Sequence, residues 1–223
     1  MKSHPFCLRN VKIEAEQTPG QVMIANPLPS PYSPEEYLAF EAASETKHEY
    51  CQGEIYAMAG ASRIHVLITV NLVTLFRQQL RGQPCLPYSN DLKVNVPAAG
   101  AYFYPDLVVS CDPRDSRTTD DILNHPRLVL EVLSPTTETF DRGRKFQAYQ
   151  TIPSLEYYLL VSQTEMHLDV YQRQGINQWL LTPLGASDQL ILPSLNFTCA
   201  IADIYEDVPA FVSPPEGLPE RTG

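Results

Sequence analysis

Two apolar segments in the middle of the chain each enclose a single carboxylate. Asp106 interrupts the run 102–109 and Glu131 interrupts the run 128–133, and neither run contains a basic residue. Burying an unpaired carboxylate costs several kcal/mol, so an interior strand carries one only when a metal, a cation or a raised pKa compensates it. The bland alternative is that Asp106 sits at a strand end beside Pro105 and that Glu131 pairs with an arginine of a neighbouring element. Two such acids in adjacent strands favour convergence on one ion. Hard oxygen ligands that leave room for water suit Mg²⁺ or Mn²⁺.

The elements around these runs define the fold class. Ser33-Pro34-Glu35-Glu36 reads as an N-cap, a proline in the first turn and an acidic start to a short helix through about Ala43. YCQGEIYAMAG reads as a strand or hairpin turning at Gly53. Apolar residues at 64, 67, 68, 72, 75, 76, 79 and 80 keep helical spacing after Ser62, and Gly82 and Pro84 end that helix. DLKVNV alternates like a half-buried strand, and YFYPDLVVS and RLVLEVLS read as interior strands. A helix is expected over 140–151, then strands in EYYLLVS, HLDVYQR, QWLLTPL and QLILPSLNF, and a short helix near Ala202. This order of helix, three strands, helix and strand, with strands added on both sides, predicts an α/β fold with a mixed sheet. One domain is expected over 31–208, with mobile segments at 1–30 and 209–223.

Five cysteines at 7, 51, 85, 111 and 199, none closer than 26 positions to the next, suggest neither a disulfide framework nor a zinc knuckle. They are expected as thiols in a reducing cytoplasm. No segment has the roughly 18 apolar residues of a membrane span, and no signal-like apolar stretch follows the first residues. The net charge of −10 argues against a surface that attracts phosphate backbones everywhere. A locally basic face, or a homodimer that brings two such faces together, is what a DNA partner requires.

The segment SPTTETFDRGRKFQAYQ places Lys145 and Tyr149 one helical turn apart, with Arg142 three residues before the lysine. A lysine near the water of a metal site orients it and stabilises charge developing on phosphate. The competing expectation is a solvated face on which Lys145 pairs with Asp141. His65 lies in the first turn of its helix, where a structural role is the default. Glu49 and Glu54 flank Gly53 within reach of a cation, with surface exposure as their default.

Taken together, YSPEEYLAFEAASETKHEYCQGEIYAMAGAS, YSNDLKV, YFYPDLVVSCDP, LVLEVLSPTTETFDRGRKFQAYQTIPSLEYYLLV and VYQR resemble the Uma-two family of restriction endonucleases. The block EVLSP followed by D-R-G-x-K-F carries most of that likeness. The resemblance implies the PD-(D/E)XK nuclease fold, a restriction-endonuclease-like core. It also implies that Asp106 and Glu131 bind Mg²⁺ with help from the Val132 carbonyl, and that DNA is hydrolysed at its phosphodiesters. Leu133 stands where that superfamily has a lysine, and Lys145 on the next helix is the expected replacement. His65, within GASRIH, matches a histidine of the family pattern. A fold retained without chemistry, as a DNA-binding or protein-interaction module, is the main alternative. A glycosidase using the two acids without metal is a further one.

Overall fold

The computed structural model describes residues 31–89 and 91–211. The expectations for residues 1–30 and 212–223 lie outside the described residues, and 209–211 continue a turn. In chain order the elements begin with α1 (Pro34–Ala43), β1 (His48–Cys51), β2 (Glu54–Ala57), α2 (Arg63–Gln79), β3 (Leu86–Tyr88) and β4 (Lys93–Val96). There follow β5 (Ala101–Phe103), β6 (Leu107–Ser110), α3 (Pro113–Ser116), β7 (Ile122–Leu123) and β8 (Pro126–Val132). A helical run then passes from α4 (Glu138–Phe140) through a π-helical turn (Asp141–Lys145) into α5 (Phe146–Tyr149). The chain ends with β9 (Tyr157–Val161), β10 (His167–Gly175), β11 (Gln178–Gly185), β12 (Gln189–Leu192), β13 (Phe197–Ala200) and α6 (Ile201–Ile204).

The central sheet has six strands in the order β11-β10-β9-β8-β6-β3. β8 and β9 are parallel, as a connection through a helix allows, and the other pairs are antiparallel. A five-stranded sheet, β2-β1-β5-β4-β7, and the β12-β13 hairpin complete the molecule. α2 packs its buried Ile68, Leu72 and Phe76 on one side of the central sheet, against Leu107, Val109, Leu128 and Leu130. The opposite side holds Val108, Val129, Leu160 and Tyr158 with Tyr149 of α5 and strands of the second sheet. Burial of this kind, at about 25 cal/mol per Å² of apolar surface, is what holds the layers together.

The predicted α/β architecture stands, with corrections in detail. YFYPDLVVS is not one strand. It breaks at 104–106 into β5 and β6, which belong to different sheets, because Pro105 has no N–H to donate to a ladder. DLKVNV forms β4 of the second sheet, and the first of the three core strands is β3, a three-residue edge strand with a central proline and too little length for a periodic signal. The cysteine expectation is also corrected: Cys85 and Cys111 form a disulfide. The antiparallel register that sets Leu86 opposite Ser110 brings these flanking residues face to face. Cys51 and Cys199 are free and buried.

Candidate active site

Asp106 ends the break that Pro105 creates, just ahead of β6. Its carboxylate is anchored twice: Oδ1 lies 2.8 Å from His65 Nε2 in the first turn of α2, and Oδ2 accepts from the Val132 amide at 2.7 Å. α2 holds His65 in place because Ser62 caps it, accepting from the His65 amide at 3.1 Å. Asp106 is thereby tied to the residue after Glu131, across the strand pair β6–β8.

Glu131 points from β8 into the side that faces the helical run, and it is 4% exposed. Lys145 Nζ is 3.2 Å from its Oε1, and the Tyr149 hydroxyl donates to the same oxygen at 3.4 Å. The lysine also lies 2.8 Å from Glu49 Oε1 and 3.3 Å from Asp141 Oδ1. Lys145 does pair with Asp141, but inside the protein rather than on a solvated face, and it also lies against Glu131. Among the described residues Asp141 Oδ1 has no hydrogen-bond partner, and the ion pair with Lys145 compensates it.

The π turn explains the alignment. Asp141 and Tyr149 are eight residues apart and in a regular α-helix would sit about 80° apart around the axis. The wider turn absorbs that excess, so Asp141, Lys145 and Tyr149 are all buried on one side. Single π turns within α-helices often mark functional sites.

Electrostatics within this cluster follow from burial. Desolvation pushes the Glu131 carboxyl well above the usual glutamate range, against the pull of Lys145 and with further push from Asp141, Asp106 and Glu49. Desolvation likewise raises Glu49, opposed by Lys145. For Lys145, burial disfavours the ammonium, yet Glu131, Glu49 and Asp141 together outweigh it and hold its pKa well above the ordinary value. One firmly charged lysine thus sits among carboxyl groups that exceed it in number.

Several predicted residues are placed differently from expectation. Glu49 is not at the surface: β1 is buried along its length, and Glu49 Oε1 also accepts from the Tyr104 amide at 3.1 Å. Glu54 is exposed, pairs with Arg144 at 3.6 Å and does not reach the cluster. Arg142 points away from it, bonded to Glu138 at 2.8 Å and Asp169 at 2.6 Å. Leu133 is buried in apolar surroundings, and Lys145 supplies the amine beside Glu131. Gln163, which nothing in its local sequence singles out, bonds the Leu133 carbonyl at 2.6 Å and approaches His65 Nδ1 at 3.4 Å.

Known proteins resemble this chain in sequence, and one in fold. Residues 34–202 match the model of the Uma2 family, described as "Putative restriction endonuclease". The uncharacterized protein slr1290 of Synechocystis sp. is 44% identical over 186 residues, which cover 82% of this chain and 97% of that protein. The uncharacterized protein sll1609 of the same organism is 37% identical over 150 residues, covering 67% and 85%. A crystal structure described as a putative nuclease belonging to DUF820, from Anabaena variabilis, superposes with a TM-score of 0.66 at 18% identity, covering 78% of this chain and 98% of that one. At that identity the likeness speaks for the fold alone.

Proposed function

This chain belongs to the Uma2 family, and on that premise we propose that it is a divalent-metal-dependent endonuclease that hydrolyses DNA phosphodiester bonds. The observation that carries the proposal is the buried Lys145 ammonium, held by Glu131, Glu49 and Asp141. Buried acids in such excess over cations are costly as a purely structural device. They are the environment in which a doubly charged ion binds well.

Two carboxylates and a backbone carbonyl are the hard oxygen donors that suit Mg²⁺ or Mn²⁺. Among the described residues, no three His, Cys, Asp or Glu side chains form a metal-holding group. Asp106 and Glu131 would hold the ion together with the Val132 carbonyl, leaving the rest of the shell to water, as Mg²⁺ prefers. When bound, the ion supplies Lewis acidity toward a phosphoryl oxygen and acidifies water. The chain's own residues do the rest. Lys145 keeps its proton, orients the attacking water and offsets negative charge that develops on phosphate. Tyr149 fixes the Glu131 carboxyl, and Glu49 and Asp141 fix the lysine. His65 and the Val132 amide orient Asp106. DNA as substrate places the work in the cytoplasm, and no helix among the described residues is long and apolar enough to cross a membrane. A homodimer would give DNA two cutting centres and a joint basic face.

The test is nicking of supercoiled plasmid by wild type and Asp106→Ala, with and without EDTA. Wild type is expected to cut only with Mg²⁺ or Mn²⁺, and the variant to fall to background while staying folded. Cutting retained by purified Asp106→Ala would refute the assignment. The net charge of −10 favours one other reading, a nuclease fold that serves as a protein-interaction module. Failure to bind Mg²⁺ in calorimetry, together with absence of nicking, would select that reading.

A further inference from the structure

The turn between β9 and β10 brings Gln163 to the back of His65, and the bonding there has one consistent solution. The Leu133 carbonyl only accepts, so the group 2.6 Å from it is the Gln163 NH₂. The Ser62 hydroxyl donates to the other end of the same amide, Gln163 Oε1, at 2.6 Å, in keeping with that orientation. The remaining N–H of that NH₂ faces His65 Nδ1 at 3.4 Å. An amide nitrogen cannot accept, so Nδ1 must carry the lone pair, and the ring proton resides on Nε2. The other end of the ring agrees independently: Nε2 lies 2.8 Å from Asp106 Oδ1, an oxygen that needs a donor.

We propose that Gln163 is a positioning residue, which sets the Nε2–H tautomer of His65 and through it the orientation of the Asp106 carboxylate. This inference rests on the reading of Asp106 as a metal-holding acid. With one donor on each oxygen, from His65 and from the Val132 amide, each oxygen keeps a lone pair for a cation. In the other tautomer the Nε2 lone pair would face Oδ1, and the carboxylate would have to rotate away. Ser62 joins the device to the helix, since the hydroxyl that holds Gln163 also caps α2 through the His65 amide. Partners that orient a metal ligand in this way typically matter by about 10–100-fold in metal affinity.

The experiment is nitrogen NMR of histidine-labelled full-length protein at alkaline pH, where the neutral ring reports its tautomer, with the His65 signals assigned by His65→Gln. Wild type is expected to show the proton on Nε2. Gln163→Ala is expected to shift His65 toward a mixture, Gln163→Glu to move the proton to Nδ1, and both to weaken Mg²⁺ binding about 10–100-fold. A wild-type ring protonated on Nδ1 overturns the proposal without any variant. An unchanged tautomer in Gln163→Ala overturns it as well. Cutting by Asp106→Ala would remove the reading of Asp106 as a metal-holding acid yet leave the tautomer result standing, so the two failures are distinguishable.

Discussion

Strand β8 shows two chemistries on its two sides. Leu128, Leu130 and Val132 meet the apolar residues of α2 and their surroundings. On the other side Val129 and Leu133 flank Glu131, and the side chains brought against that acid are Lys145 and Tyr149, with Glu49 and Asp141 behind them. The first side is built for stability. The second spends stability on charge, and a protein retains such an arrangement when the charge has work to do.

Lys145→Ala gives the largest expected effect. It leaves three buried acids facing one another, and about 3–5 kcal/mol should be lost in denaturant unfolding at neutral pH. Because burial has raised Glu131 and Glu49, that loss should shrink on acidification as those acids take up protons. A loss that does not vary with pH would mean that Lys145 acts by packing. Leu130→Ala, on the apolar side, should cost about 2–5 kcal/mol, and here the cost should be the same at acidic and neutral pH. Equal pH dependence in the two variants would erase the distinction between the sides.

A subtler effect is expected at Glu131 itself. Its folded pKa is raised, so between the ordinary glutamate value and that raised value the unfolded chain has lost a proton the folded chain keeps. Stability therefore falls as pH rises through that window. Glu131→Gln should flatten the fall, change stability by only about 1 kcal/mol at acidic pH and abolish cutting. Thermal melts over the acidic range check the slope, and a steeper fall in the variant would contradict the sign. Smallest is Arg142→Ala on the outer face of the same helical run, where the partly exposed pairs with Glu138 and Asp169 should be worth under about 1 kcal/mol. A larger loss would show that the charged region extends outward beyond Lys145.

The apolar side was legible in the sequence, and much of the charged side was not. The spacing of Ile68, Leu72 and Phe76 predicted α2, and the isolation of Glu131 within an apolar run marked it as needing a partner. Lys145 could be named because helical spacing and the family likeness pointed to one residue. Surface exposure was the default for Glu49 because a four-residue strand shows nothing of what covers it, and here Lys145 of the helical run lies against it. Cys85 and Cys111 are separated by all of β4 and β5, so their bond depends on a strand pairing that no local pattern displays. Gln163 sits in a turn and is chosen by three distant partners, Ser62, His65 and Leu133.

The π turn at Asp141–Lys145 implies that the spacing of this segment is as constrained as its composition. Inserting one further residue there would rotate everything downstream by about 100°. Every side chain would survive, yet the ammonium and the tyrosine hydroxyl would no longer share a direction with Asp141. Length in this stretch is thus a form of information that substitution experiments never sample.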